Sequence, residues 1–294
     1  MSNYCSDLDA KLWRAVIWTL RVSIAIQCLG LARETLLFQT PIFGLLWNSL
    51  DVGGMGWNEA RVEWIHQIAG WCLVVATGLT VVRPCWPVLV PVVLWQLLHA
   101  VAKTRMGGDP FYEINLLAQS TRILAPLGLM LLDPWPLDSW TRAAKNISAR
   151  RVAAVFLLLR IAVAITFAAH GYEAWQRHPK FVDFNIVVAQ RLLGWSVTQD
   201  TAEATLVVIG TIDLLAAALL LLGPRWRAVA FYMAFWGLVT ATARVVYAGA
   251  VGFSGAYHQT LLRACHVGVP LAIGLYWTLL SKYAQKTPEE TRDV

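Results

Sequence analysis

The chain has 294 residues, 57% of them hydrophobic and 14% charged, with a formal net charge of +6 and a mean hydropathy of +0.55. Soluble domains carry about 25% charged residues, so the composition excludes an ordinary soluble enzyme or nucleic-acid binder and indicates an all-α, polytopic membrane protein. The basic surplus then reads as an orientation signal. Five cysteines, Cys5, Cys28, Cys72, Cys85 and Cys265, form no C-x-x-C pair; they offer neither a disulfide framework nor a zinc site and read as buried spectator thiols.

Asp7 and Asp9 precede the first apolar run and no small-residue cleavage site follows it, so the first span, near 12–32, is expected to stay. Residues 36–50 are apolar but interrupted by Pro41 and Gly44, and are expected to lie at the interface or dip into it. Further spans are predicted near 63–82, 86–102 and 112–132. A stretch of prolines, polar residues and basic residues over 133–151 marks a boundary. Spans near 152–170, 204–222, 227–247 and 259–280 follow, then a polar tail over 282–294. Pro91, Pro126 and Pro270 are read as kinks. About eight spans are expected.

The two halves carry one plan. A Leu-Arg pair opens the first run of each, and a glutamate follows thirteen residues later, Arg21 to Glu34 and Arg160 to Glu173. Thirteen helical residues climb about 20 Å and turn the two side chains onto different faces. Each arginine must therefore find a counter-charge or acceptor on another helix. Gly70, Pro84, Trp86, Gln119 and Gly128 recur 140 positions later as Gly210, Pro224, Trp226, Gln259 and Gly268. The expectation is two parallel four-helix repeats, 1–132 and 152–281, joined by a cytoplasmic linker over 133–151.

Lysine and arginine are concentrated in the short loops on the side of the termini, among them Arg83, Arg142, Lys145, Arg150, Arg151, Arg225 and Arg227. Both termini are expected to be cytoplasmic, in a membrane of the bacterial inner-membrane type. The long loops, about 33–62 and 171–203, then face outward. Trp13, Trp64, Trp86, Trp135, Trp140, Trp175 and Trp226 fall near span ends, as interfacial indoles do.

Charges inside spans are expensive and need partners. Arg21, Arg122, Arg160, Asp213 and Arg263 lie within predicted spans; Arg160 is expected to pair with Asp213, whose first-half counterpart is Leu73. Toward the outer ends of the spans stand Glu34, His66, His99, Lys103 and Glu113 in the first half, and His170, Glu173, Arg244, His258 and Arg263 in the second. Each bundle is expected to open outward as a polar cup. Imidazole and carboxylate there suit proton exchange with a quinone or ligation of a metal or haem, and equally suit plain contact with water. No metal-ligand spacing such as H-x-x-H or H-E-x-x-H occurs, so no metal is assigned to Glu34, His66 and His99. Dinucleotide, P-loop and nucleophile-elbow signatures are absent as well.

The second half resembles the DoxX-like family of small four-helix bacterial membrane proteins. The likeness lies in the Leu-Arg entry, Gly171 to Glu173, and a run matched through Ile209, Gly210, Asp213 and Gly223 to Arg227. It covers roughly residues 155–280. The first half fits more weakly, through Arg21, Glu34, Gly70 and Pro84, with Leu73 in place of the acid and Val82 in place of the glycine. The resemblance implies a component of quinone-linked or thiol-linked redox systems, with other membrane or periplasmic redox subunits as partners. Two readings of function stay open from the residues. One is a quinone-binding, redox-associated subunit; the other is a non-catalytic assembly or anchoring subunit, or a small-solute transporter.

Overall fold

A computed structural model describes residues 7–108, 110–135, 147–250 and 257–290; these are helical apart from turns and short connections, with no strand among them. The helices are α1 (Asp7–Leu37), α2 (Pro41–Trp47), α3 (Glu59–Val82), α4 (Trp86–Met106), α5 (Asn115–Ala118), α6 (Ser120–Leu132), α7 (Ala149–Trp175), α8 (Pro179–Leu193), α9 (Gln199–Leu222), α10 (Arg227–Ala250), α11 (His258–Leu261) and α12 (Ala264–Glu290). Among the described residues, eight spans are long and apolar enough to cross a membrane: α1, α3, α4, α5 with α6, α7, α9, α10, and α11 with α12. The protein is therefore an all-α, multi-pass membrane protein whose surroundings include a lipid bilayer. The central part of the linker, with Trp140, Arg142 and Lys145, lies outside the described residues, as do Cys5 and the last four residues. The expected polar tail continues α12 as far as Glu290.

Local chemistry sets the helix starts. Thr40, Asn58, Ser148 and Thr198 each turn a side-chain oxygen onto a backbone N–H of the following first turn, satisfying a donor that the helix cannot. The loop between α1 and α3 is not merely interfacial. Its α2 buries Ile42, Phe43 and Leu46 against Val62 and Ala102. In the same loop a hydrogen bond from the Ser49 side chain holds the Asp51 carboxyl below the ordinary aspartate pKa.

At the centre stand α1, α6, α7 and α12, which supply most of the large apolar core. Helix α1 packs on α3 as α7 packs on α9; α4 lies on α6 as α10 lies on α12. The halves are joined by exchange, α12 lying along α1 and α6 along α7. The recurring glycines mark these crossings. A Cβ at Gly128 would come within 2.7 Å of Leu159, and one at Gly268 would collide with Ser23, so in each case the fourth span of one half presses on the first span of the other. Gly30 meets Leu262 and Gly268 meets Ser23, so α1 and α12 run antiparallel, with both chain ends on one side. The opposite side is called the far end below.

Both fourth spans are broken. The first gives way at Gln119, between α5 and α6, and the second at Leu262 and Arg263, between α11 and α12. Neither break is at a proline; Pro91 and Pro126 lie inside continuous helices. Neighbouring spans take up what the breaks release. The backbone N–H of Thr121 donates to Thr166 Oγ1 on α7 at 3.0 Å, and Thr260 Oγ1 donates to the Ala241 carbonyl on α10 at 2.7 Å, as non-helical backbone at membrane depth requires. Trp64, Val75, Leu94, Leu215 and Phe235 are exposed on the outside of the bundle, the face that lipid covers. Trp64, Trp86, Trp175 and Trp226 are exposed near span ends. Cys28, Cys85 and Cys265 are buried, but Cys72 is exposed, so the expectation of buried thiols fails there.

Candidate functional site

On the side of the termini, the two span arginines do the same thing. Arg21 Nη1 donates to the Val81 carbonyl at 2.9 Å, and Arg160 Nη2 donates to the Leu221 carbonyl at 2.9 Å. Val81 and Leu221, 140 positions apart, are in the last turns of α3 and α9, where helix carbonyls lack intrahelical donors. Arg21 has in addition a buried carboxylate: its Nε and Nη2 both donate to Asp133 Oδ2. The requirement for an acceptor on another helix is thus met. The particular partner expected for Arg160 is wrong. Gly171 lies against Gly210 and Asp213, which places Asp213 eleven residues along α7 from Arg160, about 16 Å of helix. Depth judged from span ends missed the register in which α7 and α9 cross.

Most of the remaining polar candidates gather at the far end in one chamber of about 240 Å3. Glu34 comes from α1, His99 and Lys103 from α4, Gln119 and Arg122 from the first break, His170 and Glu173 from α7, and Arg244 from α10. Gln259, Arg263 and His266 come from the second break, and Phe181 and Phe184 of α8 cover the group. The expectation of a separate cup in each half is therefore corrected. Because α12 lies on α1 and α6 on α7, Glu34 and Glu173, Gln119 and Gln259, and Arg122 and Arg263 all line the same space. Glu173 Oε2 is 2.8 Å from His170 Nδ1, and Glu34 Oε2 is 3.5 Å from His99 Nε2.

A second cavity, of about 200 Å3, adjoins it within the second half. Phe167, Phe181, Phe184, Leu206, Ile209 and Trp236 make its walls, and Asp213, His170, Arg244, Arg263 and His266 its polar positions. Asp213 is buried beside the Trp236 indole and its Oδ1 has no hydrogen-bond partner. At the corresponding positions 140 residues earlier stand Leu73 and Gln96, and Arg244 is answered by Thr104.

Three candidates stand elsewhere. His66 is held by Thr40 Oγ1 at 2.9 Å and the Val62 carbonyl at 3.0 Å, between the rings of Phe43 and Trp95. That separates it from Glu34 and His99, and among the described residues no group of three or more His, Cys, Asp or Glu is placed to hold a metal ion. Glu113 is exposed and borders neither space. His258 is buried and stacked on Phe38, with ring centroids 4.5 Å apart. Sequence reasoning missed His266, His178, Gln119 and Gln259 as lining residues, and Asp133 as the partner of Arg21. The recurrence of glutamine at 119 and 259 was the available signal for that pair.

Residues 155–248 match the model of the DoxX family. That part of the second half is similar to DoxX. The matched residues contain His170, Glu173, Asp213, Trp236 and Arg244, so the DoxX-like segment supplies most of the apolar cavity, while Arg263 and His266 lie beyond it. No curated protein and no solved structure matches the chain.

Proposed function

We propose that this DoxX-like protein is a redox-associated subunit of a bacterial-type cytoplasmic membrane, with both termini cytoplasmic, that binds a quinone in its second half. The observation carrying this reading is the apolar cavity that adjoins the polar chamber. A quinone needs an apolar slot, donors for its carbonyls and a group able to exchange protons near neutral pH. Phe167, Phe184, Leu206 and Trp236 make the slot, the Arg244 guanidinium supplies donors, and the bonded His170 and Glu173 pair supplies the proton-exchanging group. Electrons come from partner redox subunits. We read the halves as copies of one four-span unit, 1–132 and 152–281; the first lacks the acid, the indole and the arginine of the second, and its role is structural support of the shared chamber. A small-solute transporter is the second reading, favoured by the two broken spans, since broken helices at a central site are common in transporters.

The test is purification in mild detergent, extraction of bound quinones, and quenching of tryptophan fluorescence by a short-chain ubiquinone. Bound quinone that is lost in Trp236→Ala and His170→Ala, with melting unchanged, supports the reading. Protein that is quinone-free and gives no saturable quenching overturns it.

A further inference from the structure

Among the described residues, the two carboxylates that border the far-end chamber, Glu34 and Glu173, already face a histidine. The arginines there have no such partner. Arg244 Nη1 donates to the Thr240 carbonyl at 2.6 Å and Arg263 Nη1 to the Gln259 carbonyl at 2.7 Å, each one turn back in its own span. Nε and Nη2 of Arg122 and Nε of Arg263 are buried with no acceptor. Among the described residues none of the three has a carboxylate within 4.0 Å. Arg122 is 6% exposed and Arg244 8%. Buried guanidinium donors without acceptors are costly, and like charges brought together add to that cost. Something must complete them.

We propose that the chamber binds a small anionic group, a carboxylate or a tetrahedral oxyanion, between Arg122 of the first half and Arg244 and Arg263 of the second. The planar guanidinium fork matches both kinds of anion with two parallel N–H donors. The chamber, about 240 Å3, holds such a group with several waters at ~30 Å3 each. Arg122 lies in the first turn of α6 and Arg263 directly precedes α12, so the positive ends of two helix dipoles add to the same field. This site shares Arg244 and Arg263 with the wall of the proposed quinone slot, but the two spaces are told apart by other residues. Arg122 lines the chamber and not the apolar cavity, and Trp236 the reverse.

The full chain, purified in mild detergent with chloride as the only anion, is melted against rising sulfate, phosphate or acetate at matched ionic strength, and in nanodiscs of phosphatidylcholine with or without phosphatidylglycerol. A saturable rise in melting temperature with a free anion supports the proposal and identifies the source as soluble. A rise with phosphatidylglycerol alone supports it with a lipid headgroup as the source. Arg122→Gln abolishes the response while ubiquinone quenching persists, and Trp236→Ala does the opposite. If Arg122→Gln does not fold, Arg122→Lys keeps the charge without the fork, and its anion affinity falls about tenfold or more. No saturable response to any of the anions, or an unchanged response in both Arg122 variants, overturns the proposal whatever the fate of the quinone reading.

Discussion

Asp133→Asn, Arg21→Met and the double variant form a thermodynamic cycle on the buried arginine–carboxylate pair found among the described residues. The Asp133 side chain is 0% exposed and that of Arg21 8%. Two guanidinium N–H groups converge on Asp133 Oδ2 and a third reaches the Val81 carbonyl. Removing one partner of such a pair costs about 3–5 kcal/mol, because the other charge stays buried. Asp133→Asn falls at the lower end, since Arg21 keeps Val81 and the indoles of Trp18 and Trp135, each 5.4 Å from the guanidinium carbon. The double variant buries no charge and loses mainly the bond to Val81, about 1 kcal/mol. On those costs the coupling is at least about 5 kcal/mol. Arg160 gives the internal control: the position 140 after Asp133 is Ile273, and Arg160→Met forfeits its bond to Leu221 and its place over the Trp277 ring, about 1–2 kcal/mol. Reversible unfolding in mixed detergent micelles reads all four variants. A coupling below about 0.5 kcal/mol, or an Arg160→Met as damaging as Arg21→Met, refutes the reasoning.

Gly210→Ala places a Cβ 2.5 Å from the Gly171 carbonyl oxygen and is expected to cost about 1–3 kcal/mol. Gly78→Ala meets nothing within 4 Å and is expected to gain up to about 1 kcal/mol from helix propensity; melting of the two variants side by side checks both. Thr166→Val removes the acceptor of the Thr121 N–H at the first break and should lower stability by about 1–3 kcal/mol, whereas an unchanged melting temperature would show that the break is held by other contacts. Reporter fusions after Val294 and within 133–151 are expected to signal the cytoplasm, and an exterior signal from both would reverse the assigned orientation.

The spans were legible because length and apolarity are properties of consecutive residues, and the start of α4 at Trp86 follows directly from the Pro84 turn. The breaks were not legible. Gln119 and Leu262 carry no local signal of the proline kind; the breaks are sustained by Thr166 on α7 and by the close approach of Gly30 on α1, which only tertiary structure brings near. Most of the charged candidates do meet in one place, since polar residues at the same end of neighbouring spans share a level. Which neighbours they meet was beyond the sequence. The recurrence of Glu34 as Glu173 and of Gln119 as Gln259 suggested a site in each half, but the exchanged packing of α6 and α12 brings both sets of residues around one enclosure. Arg160 and Asp213 failed as a pair for a similar reason, a helix register set by Gly171 against Gly210.

The placement of α12 against α1 bears on how the chain is made. Gly30 receives the backbone of Leu262, and Ser23 meets Gly268, so α1, made before the other described spans, has one side shaped to α12. Through most of synthesis that side is left to lipid or to the insertion machinery, and Glu34, His99 and Arg122 lack the wall carrying Arg263 and His266. The chamber cannot close before α11 and α12, which follow the other described spans in the chain, have been made. Loss of residues beyond 257 is accordingly felt far away in the sequence, in α1, and a chain halted before α11 has Glu34, His99 and Arg122 without the wall that encloses them.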